Sequence, residues 1–263
     1  MTSSTLLPTS DFFVRWLPLA AFCAVIAHHL WFVNSYAINV PHQDDIYDFV
    51  QFVSVVENAD SAGDGFKALF NQYNDHRTSA SRLVVFGVYL AEGELNFHTL
   101  TLVANLGLLL ILLLFYLTVR KERYRWVYLL VAALLLLNFR YFKIILFSQA
   151  AFAYYYVCLY AFACIFTLHK VSGPRFLLAA VFCTLSSLTL ASGQIVWLLG
   201  LVSLLHQCLV CERRPLLYVA MWPLVATVML LLWHVGFNEG SHEVISDTTV
   251  NILSEDPSIA ASP

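Results

Sequence analysis

"LTLVANLGLLLILLLFYLTVRKERYR" occupies residues 100–125, and its reading decides the fold of this chain. Residues 100–119 carry no formal charge, and about twenty apolar residues are what an α-helix needs to cross the hydrocarbon of a bilayer. Four basic residues then follow within six positions: Arg120, Lys121, Arg123 and Arg125. A run of this kind closed by such a cluster reads as a membrane span ending at a cytoplasmic surface, where Lys and Arg accumulate.

The same pattern recurs on both sides. Of the 263 residues 60% are hydrophobic and 12% charged, which excludes an ordinary soluble domain. The expected class is an all-α, polytopic membrane protein. Suitable runs fall at 16–33, 100–119, 126–146, 150–168, 176–190, 194–210 and 215–236, which predicts seven transmembrane helices. Arg140 and Lys143 interrupt the third, and the Ser192-Gly193 pair separates the fifth from the sixth. The first run follows Arg15 and lacks a small-residue cleavage pattern, so a retained anchor is expected rather than a cleaved signal peptide. Cys23, Cys158, Cys164, Cys183 and Cys208 fall inside apolar runs and read as packing residues. Cys208 and Cys211 form a C-x-x-C pair, but no second Cys or His pair outside the membrane accompanies it to make a zinc or redox site.

Residues 79–90 are apolar enough to tempt an eighth crossing, and charge decides against it. With the N-terminus inside and seven crossings, Arg15, the 120–125 cluster, Lys170, Arg175, Arg213 and Arg214 share the inner face. That is nine of the fourteen basic residues, while fourteen of the seventeen acids lie outside. An eighth crossing would move the basic loops "RKERYR", "HKVSGPR" and "CERR" to the outer side. Residues 79–90 are therefore expected to lie as a helix at the outer interface, with Arg82 snorkelling to the headgroups. Residues 1–236 then form one transmembrane module with an outer loop at about 35–97, followed by a polar tail at 237–263 of disordered composition.

The outer loop holds "QDDIYDF" at 43–49 and "NQYNDHRTSASR" at 71–82. Phe49, Val50 and Val53 recur at helical spacing, so "IYDFVQFVSVV" predicts a second surface helix with an apolar underside. Residues 61–73 read as loop, short helix and loop. Asp44 and Asp45 stand at the start of that second surface helix, where carboxylates cap free N–H groups and complement the dipole.

One span, a long acidic outer loop with two juxtamembrane helices, and a series of spans with short connections together resemble the GT-C superfamily of integral-membrane glycosyltransferases. Its members include protein O-mannosyltransferases and the aminoarabinose transferase that modifies lipid A. The resemblance covers residues 16 to about 236 and is carried by "QDD" at 43–45, "NDHR" at 74–77, "RKERYR" at 120–125 and "FSQAAFAYYY" at 147–156. The triplet Asp75-His76-Arg77 is similar to a Glu-His-Arg triplet of some bacterial members. The resemblance implies a multi-pass protein of the bacterial inner membrane that takes a sugar from a polyprenyl-phosphate donor, a membrane lipid, to a hydroxyl acceptor on a glycan, lipid or protein. Such a transfer needs a base for the acceptor proton and positive charge for the departing phosphate. Asp44 or Asp45 fits the first role; Arg77, assisted by His76 and Arg82, fits the second. Asn74, Asp75, Gln149 and Gln194 are the candidate substrate contacts. No cofactor is expected, no nucleic acid is a partner, and a partner membrane subunit is compatible with the short chain.

Each role has a bland counterpart. "NDHR" also reads as a solvated turn with Asp75 capping, His28 and His29 as side chains that are interfacial or packed against other helices, and residues 151–166 as an aromatic interfacial band. Gln194 also suits a loose backbone turn. The chain departs from the resemblance in having no acid between Arg125 and Lys170, where several members carry a second one; Gln149 is the nearest polar residue. A divalent ion would therefore lack the two or three acidic or histidine ligands that it needs. The early end of the sequence reads as a compact member, half of a split system, an inactive remnant or a truncated chain. A transporter or flippase for a lipid-linked saccharide and a non-catalytic accessory subunit are the alternatives; the first calls for ionisable groups inside several spans.

Overall fold

The structure, a computed structural model, describes residues 9–210 and 216–237, with side chains from Trp16 onward. The 237–263 tail, apart from its first residue, and the side chains of Arg15, Cys211, Arg213 and Arg214 lie outside the described residues. Within them the chain is all-helical. Helix α1 spans Thr9–Tyr36. The next segment, 37–96, holds a π-helical turn at Asp45–Val50 that runs into α2 (Gln51–Glu57), then α3 (Ala62–Phe70) and α4 (Ser79–Glu92). The rest is α5 (Phe97–Val119), α6 (Arg125–Leu136), α7 (Phe142–Ile145), α8 (Ser148–Leu168), α9 (Gly173–Ser187), α10 (Ile195–Val210) and α11 (Leu216–His234).

Six of these stretches are long and apolar enough to cross a membrane: Trp16–Tyr36, Phe97–Val119, Arg125–Ile145, Ser148–Leu168, Ala191–Val210 and Leu216–His234. α9 is apolar but has 15 residues, about 22 Å of helix against a hydrocarbon core of about 30 Å. The third stretch is broken near Arg140 and Lys143: α6 ends at Leu136, the Asn138 side chain caps a single 3₁₀ turn, and α7 completes the passage. The Ser192-Gly193 break is a 3₁₀ turn at Ala191–Gln194.

Helix α8 is central. It packs most extensively on α5 and α9, while α1 lies against α6 and α11 against α10. Cys164, Phe176, Cys183, Leu204 and Trp222 form a core among α8 to α11. Gly200 permits the close approach of α11, because a Cβ there would stand 2.2 Å from the Trp222 ring. Outward positions such as Leu110 and Leu113 of α5, Leu198 and Val202 of α10, and Leu224 and Leu231 of α11 stay exposed. A bilayer supplies the apolar surroundings that such rows need.

One end of the bundle carries segment 37–96; we call it the loop end. Phe49, Phe52, Val53 and Val85 of that segment share a core with Phe97, Leu100 and Phe152 at the near ends of α5 and α8. The expected apolar underside of the first loop helix is therefore present. Two local expectations differ. Asp44 makes no side-chain cap to the turn that follows it. Arg82 does not snorkel: it is 4% exposed and points into the loop's own core, because a buried aspartate awaits it there.

Candidate functional site at the loop end of the bundle

Asp45 is held where the loop meets the start of α8. Its Oδ1 accepts from Ser148 Oγ at 2.5 Å and from the Gln149 N–H at 3.0 Å, and its Oδ2 accepts from the His42 N–H at 3.0 Å. The carboxylate thus caps α8 rather than its own helix, satisfying an N–H that the first turn leaves free. Burial pushes its pKa above the ordinary aspartate value, and the hydrogen bonds from Ser148, His42 and Gln149 pull part of the way back. Oδ2 accepts one hydrogen bond from the protein, which leaves one of its lone pairs uncommitted.

That residue lines a cavity of about 550 Å³, together with His42, Gln43, Thr101, Lys143 and Phe147. The size suits a small polar group with an aromatic rim. Gln43 sits at φ 36°, a costly conformation for a non-glycine residue that is found preferentially at functional sites. Below the cavity the buried His29 Nε2 faces Asn105 Oδ1 at 3.1 Å, and Asn105 donates to the carbonyls of Thr101 and Ile145. His28 stacks on Trp31 and meets the edge of Phe139. His29 is thus packed between helices, whereas His28 is exposed and makes aromatic contacts at the helix surface.

A second polar cluster lies deeper in the loop. Arg82 Nε donates to Asp48 Oδ1 at 2.8 Å, the Thr78 hydroxyl donates to the same oxygen at 2.8 Å, and Arg82 Nη1 reaches the Ala68 and Asn71 carbonyls. Desolvation drives the Asp48 pKa up, while the Arg82 charge and the hydrogen bonds favour its charged form. The Gln149 side-chain amide is close enough to add to that support. Asp48 is fully buried. Asp44 stands apart, half-buried and hydrogen-bonded to the Tyr73 hydroxyl, whose pKa burial and this carboxylate raise.

"NDHR" forms a two-residue turn closed by reciprocal backbone bonds between Tyr73 and His76, each 2.9 Å. Asn74 takes φ 47° and Asp75 is exposed at the tip. Beyond it His76 Nδ1 accepts from the Ala191 N–H at 3.4 Å. Arg77, 8% exposed, donates to the carbonyl of Phe70 at 2.6 Å and to that of Val235 at 2.5 Å. Its guanidinium also lies 6.0 Å from the Trp233 ring centre. Burial lowers the Arg77 pKa. Gln194 is partly exposed on the turn before α10.

The expected site residues thus separate into groups. Asp45 and Gln149 meet at the start of α8. Asp44 pairs with Tyr73, Arg82 with Asp48, and His76 and Arg77 tie the loop to the far helices. Sequence reasoning gave no role to Asp48, His42, Ser148 or Lys143. The i, i+3 spacing of Asp45 and Asp48, and a lysine placed in an otherwise apolar run, were the signals available. Among the described residues no three His, Cys, Asp or Glu side chains converge as metal ligands.

Six membrane-length apolar helices around a capped, polar loop end define a multi-pass membrane protein. Compared with family models, curated proteins and solved structures, the chain matches none.

Proposed function

We propose that the chain is a GT-C-like glycosyltransferase of the bacterial plasma membrane, with seven crossings, a cytoplasmic N-terminus and the loop end outside. It would move a sugar from a polyprenyl-phosphate donor to a hydroxyl acceptor. The observation that carries this reading is a buried aspartate of raised pKa with a free lone pair, facing a cavity at the loop end that also holds Lys143. Asp45 Oδ2 takes the acceptor proton as the acceptor oxygen bonds to the anomeric carbon. The anomeric carbon–phosphate oxygen bond breaks, and its electron pair leaves on the polyprenyl phosphate. Lys143 is the exposed cation on the cavity wall and is positioned to neutralise that phosphate. Arg77 and Arg82, committed to protein carbonyls and to Asp48, act by holding the loop in place. The transport alternative gains little, because among the described residues no buried Asp, Glu, Lys or Arg lies within a membrane-length helix.

Asp45→Asn keeps Oδ1 as an acceptor for the α8 cap, gives up the bond that Oδ2 accepts from the His42 N–H, and removes the base. It should lower sugar transfer from a polyprenyl-phosphate sugar by roughly two to four powers of ten with membrane insertion retained and a loss of stability of about 1–3 kcal/mol. Asp44→Asn, which touches Tyr73 rather than the cavity, should stay within about tenfold. Equal, near-parental transfer by both variants would end the base assignment.

A further inference from the structure

At the end of the bundle opposite the loop, α5, α8 and α10 finish and α9 begins. Between them lies a cavity of about 920 Å³, well separated from Asp45 along the helices. Arg120, Lys121, His169, Lys170, Arg175 and His206 line its mouth, and no acidic side chain lines it. Deeper in, the wall is apolar and aromatic, with Leu114, Phe115, Phe162, Ile165 and Phe166. On α5 the lining runs from Leu114 to Thr118, about 6 Å along the axis at 1.5 Å per residue, and it continues past the helix end through Arg120 and Lys121. Polar floor groups are few, and Gln207 is fixed there by a 2.6 Å bond from its Nε2 to the Leu168 carbonyl.

Basic residues where helices leave a membrane have a simpler explanation. They complement helix C-termini and set orientation. That covers Arg120 and Lys170, which follow α5 and α8. It also covers Arg175, which stands in the first turn of α9 but donates from Nη1 to the Lys170 carbonyl at 3.2 Å, just past the end of α8. It does not explain why the charges surround a concavity. Among the described residues the side chains of Arg120, Lys121 and Lys170 have no hydrogen-bond or ion-pair partner.

We infer that this cavity binds an anionic phospholipid, its phosphate headgroup among Arg120, Lys121, Lys170 and Arg175 and an acyl chain along Phe162 and Phe166. A basic mouth over an apolar wall matches both halves of such a molecule, and basic pockets between membrane helices recognise headgroups in this way. A soluble phosphate would use the mouth and leave the wall without an occupant.

The test uses the full chain, delipidated in a neutral detergent and titrated with phosphatidylglycerol, phosphatidylcholine or inorganic phosphate while bound lipid is counted by native mass spectrometry. Phosphatidylglycerol should bind at least tenfold more tightly than phosphatidylcholine. Lys121→Ala/Arg175→Ala should lose about tenfold or more, whereas Arg123→Ala, in the same loop but outside the cavity lining, should bind like the parent. Phe166→Trp, which leaves every charge in place, should also weaken phosphatidylglycerol by narrowing the wall, and it serves where the double variant fails to insert. Three results would overturn the inference: equal binding of both lipids, equal losses in the lining and Arg123 variants, or inorganic phosphate displacing the lipid at equal concentration. The last would make the mouth a site for a soluble anion.

Discussion

Asp45 caps α8 and, in the proposed reaction, would also serve as the base; its hydrogen bonds allow the two to be separated. A base must be ionised, and burial raises the Asp45 pKa. Transfer should therefore fall as pH is lowered through a value above the ordinary aspartate pKa of about 3.9. Ser148→Ala removes a hydrogen bond that favours the charged form, so the acid limb of the rate profile should move to higher pH while the plateau changes less. An unshifted limb would mean that another group controls the profile. Asp48 and Arg82 behave differently, since both are buried and form an ion pair at 2.8 Å. Arg82→Met should destabilise the protein by about 3–5 kcal/mol through the carboxylate that it strands, and adding Asp48→Leu should recover part of that loss. Thermal unfolding in detergent, compared across the two single variants and the double variant, measures the coupling.

The turn between α9 and α10 is the element on which the loop end depends. Ser187 accepts from the Trp233 indole N–H through its carbonyl and from the Trp197 indole N–H through its hydroxyl. Leu188 O accepts from the Ala80 N–H at 2.9 Å, and the Ala191 N–H reaches His76. One short connection thereby joins α4, α10 and α11 to the end of α9. Gly193 makes its geometry feasible: a Cβ there would lie 2.0 Å from the Ser186 carbonyl oxygen, which is backbone and cannot rotate aside. Gly193→Ala should cost about 1–3 kcal/mol, read as a lower unfolding temperature, with the exposed Ser192→Ala unchanged. From the sequence, Ser192-Gly193 was legible as a break between two apolar runs. The close approach that makes the glycine necessary was not, because its contact lies in the preceding helix end rather than beside it in sequence.

At the scale of the whole molecule, orientation decides which side each site serves. In a background without native cysteines, Ser61→Cys in the loop should react with an impermeant maleimide from outside intact cells, and Tyr124→Cys only after permeabilisation. Labelling of position 124 from outside would reverse the proposed orientation. The sequence by itself determined the membrane class and the approximate helix boundaries, because length and apolarity are local quantities that a bilayer reads one helix at a time. It also determined the burial of Phe49 and Val53, which periodicity carries. Only the tertiary structure decided which charges are free. Arg77 and Arg82 have the composition of phosphate binders, yet the Val235 carbonyl and Asp48 occupy them from 158 and 34 residues away. Lys143 reads as a blemish in a span and faces a cavity with Asp45. A side chain's partner across the fold is set by how helices pack, and desolvation makes that partner decisive: a buried charge must be satisfied by whatever the packing brings to it.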